Sequence, residues 1–241
     1  MSEQERQESN TDNFESYPLV ALKNMVVFPR TRMTLAVARE KSVRAVEEAI
    51  MQPDRLLVAS SQRDPDIDDP EPKDIYPIGT LVEVTTLHRQ PDGSLQMLLS
   101  GIRRVQIEEY EELEPFLRVS VATPQEIHTR DPQVDAVVRH ATNLFERYAQ
   151  LNRRFSVEDI NSIVALKSAP RLSDMLAAHL VTDPAQQQDL LETFDPLARL
   201  EKICVIMGNE IEILENRLER DVFSLSMMFS ENRYPPFGIM L

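Results

Sequence analysis

The side chains in this sequence that most often carry chemistry are four histidines, one cysteine, a Lys-Ser pair and a short run of aspartates. A metal site needs histidines at helical spacing or clustered with carboxylates and thiols. His88, His128, His140 and His179 show neither arrangement, and no HExxH occurs. They read as surface or satisfied structural groups, and neither a metal nor another cofactor is expected. Phosphate cradling by a P-loop needs a GxxxxGK[ST] pattern, which the glycines at 79, 93, 101, 208 and 238 never form. Lys41 adjoins Ser42, but neighbouring side chains on a helix diverge, so the pair makes no Ser-Lys dyad; no GxSxG is present. Asp64, Asp66 and Asp68 begin like a calcium-binding EF-hand loop, yet Asp69 stands at the required glycine and Ile75 at the bidentate glutamate. No catalytic constellation emerges, and an enzyme in its own right is not expected.

Binding chemistry is better supported. Arg39, Glu40, Lys41 and Arg44 form a charged corner where a β-patterned segment gives way to a helix, whose first turn exposes unpaired amides. These four are the candidate substrate-binding residues; the alternative is a solvated helix face. Net charge is −14 with a pI near 4.8, so a nucleic-acid partner is not expected, because phosphate contacts need a basic surface. Unfolded or basic polypeptide suits the charge better. A single cysteine forms no internal disulfide, the N-terminus lacks a signal-peptide core, and no apolar run approaches membrane-spanning length. A cytoplasmic protein with no membrane contact is expected.

The elements that must position the corner follow from periodicity. Residues 1 to 16 are polar and acidic and read as a disordered tail. From 17 to 125, RLLVASS, PIGTLVEVTTLHR, SLQMLLSG, IRRVQIEEY and PFLRVSVAT carry strand signals punctuated by Gly and Pro, and Leu117, Val119 and Val121 alternate with period two. Pro91-Asp92-Gly93-Ser94 predicts a hairpin turn, and the proline-rich acidic run Asp64 to Pro72 predicts a surface loop. Near residue 125 the period changes to 3.6, and residues 126 to 221 read as a helical bundle. Helix starts are expected at Asp131-Pro132, at Ser156 with Asp159 three residues on, near Pro170 and Pro184, and at Asp195-Pro196.

The final helix carries Leu197, Leu200, Cys204, Met207, Ile211, Leu214 and Leu218 at alternating spacings of three and four, the seam of a coiled coil. The bundle itself can bury that seam, or it can pair with another copy. Cys204 lies on it as a small hydrophobe rather than a reactive thiol. After Asp221 the sequence turns apolar and aromatic, and residues 222 to 241 form an atypical tail with Pro235-Pro236 as a helix stop.

The run YPLVALKNMVVFPRTRMTLAVAREKSVRAVEEAI, from Tyr17 to Ile50, closely resembles the start of the substrate-recognition domain of Lon, the ATP-dependent serine protease. Pro18-Leu19, Val26-Val27-Phe28-Pro29 and the Arg39-Glu40-Lys41-Ser42 corner carry that similarity. Further along, Gly79-Thr80, Pro91-Asp92-Gly93, Gly101 with Arg103 or Arg104, Leu176-Ala177-Ala178-His179-Leu180, Leu190-Leu191-Glu192-Thr193 and Arg199-Leu200-Glu201-Lys202 keep the family order to about Val222. The resemblance implies an α+β architecture, in which a PUA-like β-barrel or sandwich precedes an all-α bundle ending in a long heptad-bearing helix. It also implies recognition of unfolded or degron-bearing polypeptides, and assembly with copies of itself or with full-length Lon. ATPase and protease domains are not encoded, so a truncated or diverged Lon gene product is expected, with a naturally separate domain as the alternative. Two other functions stay open: a structural adaptor acting through the long helix, and RNA binding by analogy with PUA-like folds.

Overall fold

In β5, Leu95–Glu112, residues Leu95, Met97, Leu99, Gly101, Val105 and Ile107 are buried while most of their neighbours are not, the signature of a strand with one face on a core. This strand belongs to a computed structural model describing residues 15–125, 132–152 and 154–231. The sequence expects two strands here, interrupted at Gly101. The strand instead runs through, with Ile102 as the extra residue of a bulge opposite Leu81 and Val82. Gly101 serves close packing rather than a turn: a Cβ there would overlap the Phe28 carbonyl oxygen.

The other strands are β1 Glu15–Leu22, β2 Arg32–Val37, β3 Leu56–Ser61, β4 Ile78–Arg89 and β6 Leu117–Ala122. They hydrogen-bond in the order β2-β5-β4-β3-β1-β6, and β6 also pairs with β5, so five of them close a ring with β2 attached outside it. β1 and β3 are parallel and every other pairing is antiparallel. β4 and β5 meet at the expected turn, where Gly93 takes a φ of 86° and the Asp92 carboxylate accepts hydrogen bonds from the Ser94 N–H and hydroxyl. β1 takes in Glu15 and Ser16, which composition alone assigned to the acidic tail; their pairing with Val121 and Ser120 outweighs their polarity.

Helix α1, Glu40–Met51, buries Ala45, Val46 and Ala49 among Val20, Leu22, Leu57 and Met97. The opposite face of the sheet packs Leu19, Val58, Leu81, Val105 and Val119 together. Five helices follow: α2 Pro132–Leu151, α3 Val157–Val164, α4 Ala169–Leu180, α5 Pro184–Glu192 and α6 Pro196–Glu231. The starts of α3, α5 and α6 obey local chemistry, while the cap expected at Asp131 lies outside the described residues. Ser156 and Asp159 form a reciprocal capping box, and Asp183 accepts from the amides of Ala185 and Gln186.

The helices share a core that takes Val26, Phe28 and Ile78 from the β half. A charge cluster ties the halves together at the same place. Asp174 of α4, fully buried, accepts from Arg104 of β5 at 2.6 and 3.3 Å and from Arg30 at 3.1 Å, and lies 3.6 Å from Arg199 of α6. Arg104 also donates to the Leu191 carbonyl, Arg199 to Ser173 Oγ and the Thr193 carbonyl, and Gln188 to the Ile78 carbonyl.

Candidate functional site

The charged corner sits at the rim of the sheet. Arg39 is the N-cap residue of α1, with extended backbone and no side-chain cap. Its guanidinium turns across the rim and donates to Gln62 Oε1 at 2.8 Å and to the Ile67 carbonyl at 3.2 Å. Burial pulls its pKa below the ordinary arginine range, while Asp68 and Asp69 oppose the shift. Lys41 reaches Glu114 at 2.9 Å and both oxygens of Asp69 at 3.1 and 3.2 Å; hydrogen bonds to Glu114 and Asp69 raise its pKa. Glu40 and Arg44 pair with each other one helical turn apart. The structure thus brings all four predicted residues to one place, with their charges already engaged.

Two adjoining clefts flank Arg39. One, of about 240 Å³, is lined by Leu19 and Ala21 of β1, Leu117 of β6, residues 39–42 and residues 68–70. The second, of about 320 Å³, lies beside β2: Leu35 to Ala38 form one wall and Ala21, Leu22, Lys23 and Met25 the other. Ala21, Arg39, Ser42 and Asp68 belong to both. The lining combines apolar side chains with a few charged ones, the makeup of a ligand-binding cleft.

Sequence reasoning missed the acidic loop as a wall of this site. Its composition announces only a surface loop, and the signal it offered was an unbalanced acidic run to set against a cationic corner. Gln62 folds the loop back by donating to the Asp64 and Ile67 carbonyls, and Lys23 pairs with Asp68. Among the described residues no group of three or more His, Cys, Asp or Glu side chains could hold a metal ion.

The predicted seam of α6 lies elsewhere. Leu200, Met207 and Ile211 are buried in the helical core, Leu197, Cys204 and Leu214 are half-buried, and Leu218 is 48% exposed. Ile203, outside the seam, is fully buried as well, so the helix buries a face wider than a coiled-coil stripe. Burial, with a smaller contribution from Glu201, pushes the Cys204 thiol up to about 11, away from reactivity.

A family model described as the ATP-dependent protease La (LON) substrate-binding domain matches residues 16–209. The chain belongs to that family. Among relatives of this Lon domain, the Lon protease of Desulforamulus reducens is 39% identical over 208 residues, covering 86% of this chain and 25% of the relative. That of Heliobacterium modesticaldum is 36% identical over 216 residues, covering 90% of this chain and 26% of its own length. The chain thus spans about a quarter of the length of the curated relatives it matches. The N-terminal domain of a Mycobacterium avium complex Lon protease superposes with a TM-score of 0.65 at 22% identity, over 80% of this chain and 98% of that one. A Xanthomonas campestris Lon N-terminal domain protein gives 0.54 at 19% identity, over 79% and 98%. These two likenesses establish the fold, a mixed sheet with helices as in Lon N-terminal domains. No described helix is long and apolar enough to cross a membrane.

Proposed function

We propose that this Lon domain is a non-catalytic recognition module that captures unfolded or degron-bearing polypeptide through the clefts around Arg39. The observation that carries the reading is the mixed apolar and charged lining of two adjoining clefts, open to solvent, within a substrate-binding family. Recognition falls to residues 17–125, whose ring closed by the β5–β6 pairing supports a PUA-like barrel. A cytoplasmic setting suits a chain whose one cysteine is a half-buried thiol with its pKa pushed up by burial. The test is binding of reduced, carboxymethylated α-lactalbumin against the folded protein. Alanine at Arg39, Glu40, Lys41 and Arg44 together should weaken capture of the unfolded form at least tenfold. Unchanged affinity in a folded variant would remove the assignment.

A second reading, support of assembly with copies of itself or full-length Lon, has its own observation. Helix α6 reaches roughly 54 Å at 1.5 Å per residue, and Val205, Ile213 and Leu218 on it are exposed. A cleft of about 580 Å³ between α5 and α6, lined in part by Leu190, Val205 and Ile206, adds apolar surface. Because α6 supplies Leu200, Ile203 and Met207 to the core, shortening the chain at Asp195 would dismantle the fold. Ile213→Glu with Leu218→Glu is the cleaner probe: sedimentation of both forms as monomers would dismiss assembly through this face.

A further inference from the structure

β2 joins the sheet through β5 and has no other strand partner among the described residues. The Gly101 N–H donates to the Thr31 carbonyl at 2.9 Å, which sets the phase of the ladder. By antiparallel alternation, the backbone groups of Met33, Leu35 and Val37 then face β5. Those of Arg32, Thr34 and Ala36 point to the open side. All three of the latter residues are exposed, while Leu35 and Val37 anchor the strand in the core. The cleft beside Leu35 to Ala38 runs along the C-terminal part of this edge.

A row of outward N–H and C=O groups matches one kind of partner, another extended backbone. Charge narrows the choice further. At the Val37 end of the edge stands Asp68, which holds Lys23 through Oδ1 at 2.9 Å while its side chain stays 95% exposed, leaving Oδ2 for a second cation; behind it the loop carries Asp64 and Asp66, which take no cationic partner among the described residues. The whole chain bears a net charge of −14. The edge is six residues long, too short to favour indiscriminate self-pairing yet long enough for several ladder hydrogen bonds.

We propose that the open edge of β2 binds an extended, cationic polypeptide segment by strand addition, with Lys or Arg of the guest beside Asp68. This rests on the polypeptide-capture reading and gives it a place and a geometry. The guest backbone pairs with Arg32, Thr34 and Ala36, and its alternate side chains enter the cleft over Met25 and Leu35.

The experiment uses the full chain and a fluorescent nine-residue peptide of alternating Thr and Val ending in two lysines, read by anisotropy. Three perturbations should each weaken binding about fivefold or more, the scale of one or two lost hydrogen bonds or a lost charge contact. The first is N-methylation of alternate peptide amides, the second exchange of its lysines for glutamates. The third is Thr34→Pro, which removes one outward N–H and leaves the β5 ladder its donors. Thr34→Val, which keeps that N–H, should bind as wild type. If the unmodified peptide binds and N-methylation changes nothing, strand addition is overturned while polypeptide capture stands; because this arm uses the wild-type chain, it holds even if Thr34→Pro misfolds. If the glutamate peptide binds equally well, the cationic preference is overturned. A wild-type dimer that Thr34→Pro converts to monomer, with no peptide binding, would assign the edge to a second copy and overturn the proposal. If neither peptide nor carboxymethylated α-lactalbumin binds, the capture reading falls, and the edge proposal with it.

Discussion

Replacing Asp174 by alanine removes the one carboxylate that Arg104, Arg30 and Arg199 share among their described ion pairs. The side chains of Arg104 and Arg199 are 2% and 0% exposed, so water cannot take over solvating those two charges. Arg30 is 41% exposed and rehydrates at little cost. Described donations to the Leu191 and Thr193 carbonyls and to Ser173 soften the loss. Breaking a buried pair by deleting one partner costs about 3–5 kcal/mol, and that is the expected destabilisation here. Asp174→Asn keeps the shape and one acceptor, and should cost about 2 kcal/mol, the scale of hydrogen bonds to charged groups. The assay is urea unfolding followed by circular dichroism, with the midpoint falling while the slope is preserved. A loss under about 1 kcal/mol for Asp174→Ala would show that the cluster is not what holds the helices to the sheet.

Three further outcomes follow from local geometry. Gly101→Ala forces a Cβ onto the Phe28 carbonyl and should destabilise by about 1–3 kcal/mol in the same unfolding assay. Ser156→Ala removes the cap of α3 and should cost about 1 kcal/mol at neutral pH. Hydrogen bonds from the Ser156 hydroxyl and amide hold the Asp159 carboxyl below its ordinary value, so their stabilisation is present above that value and is lost as pH falls through the depressed one; the Ser156→Ala penalty should shrink in urea titrations below pH ~4. With its thiol pushed up to about 11, Cys204 should react with a thiol-specific disulfide reagent at pH 8 far more slowly in the folded chain than in urea.

The features that sequence reading captured are those decided within a few residues. Ser156 and Asp159 cap α3 because a hydroxyl and a carboxylate three apart satisfy each other's backbone, and Asp92-Gly93 turns the β4–β5 hairpin because glycine accepts a positive φ. What escaped it depends on residues distant along the chain. Nothing near Gly101 announces that Phe28 packs against it, so a residue that reads as a strand breaker sits inside an 18-residue strand. Arg104 and Asp174 look like ordinary surface charges until the fold places them 2.6 Å apart. The charged corner was legible as a cluster because its members, Arg39, Glu40, Lys41 and Arg44, fall within six residues. Its engagement with Asp69 and Glu114, and the two clefts that make it a candidate site, required the tertiary arrangement.

The ring of strands sets an order of events during synthesis. Strand β1 finds β3 only after α1 has been made, since Leu19 pairs with Val58, and it finds its other neighbour last of all, since Glu15 pairs with Val121. The β4–β5 hairpin closes across a tight turn and can form while the chain is still emerging. Until Ala122 has left the ribosome, the apolar Leu19, Val20 and Leu22 belong to a strand with one edge unfilled. The domain thus passes through an exposed condition, with an apolar strand unpaired along one edge, for most of its β half each time it is made.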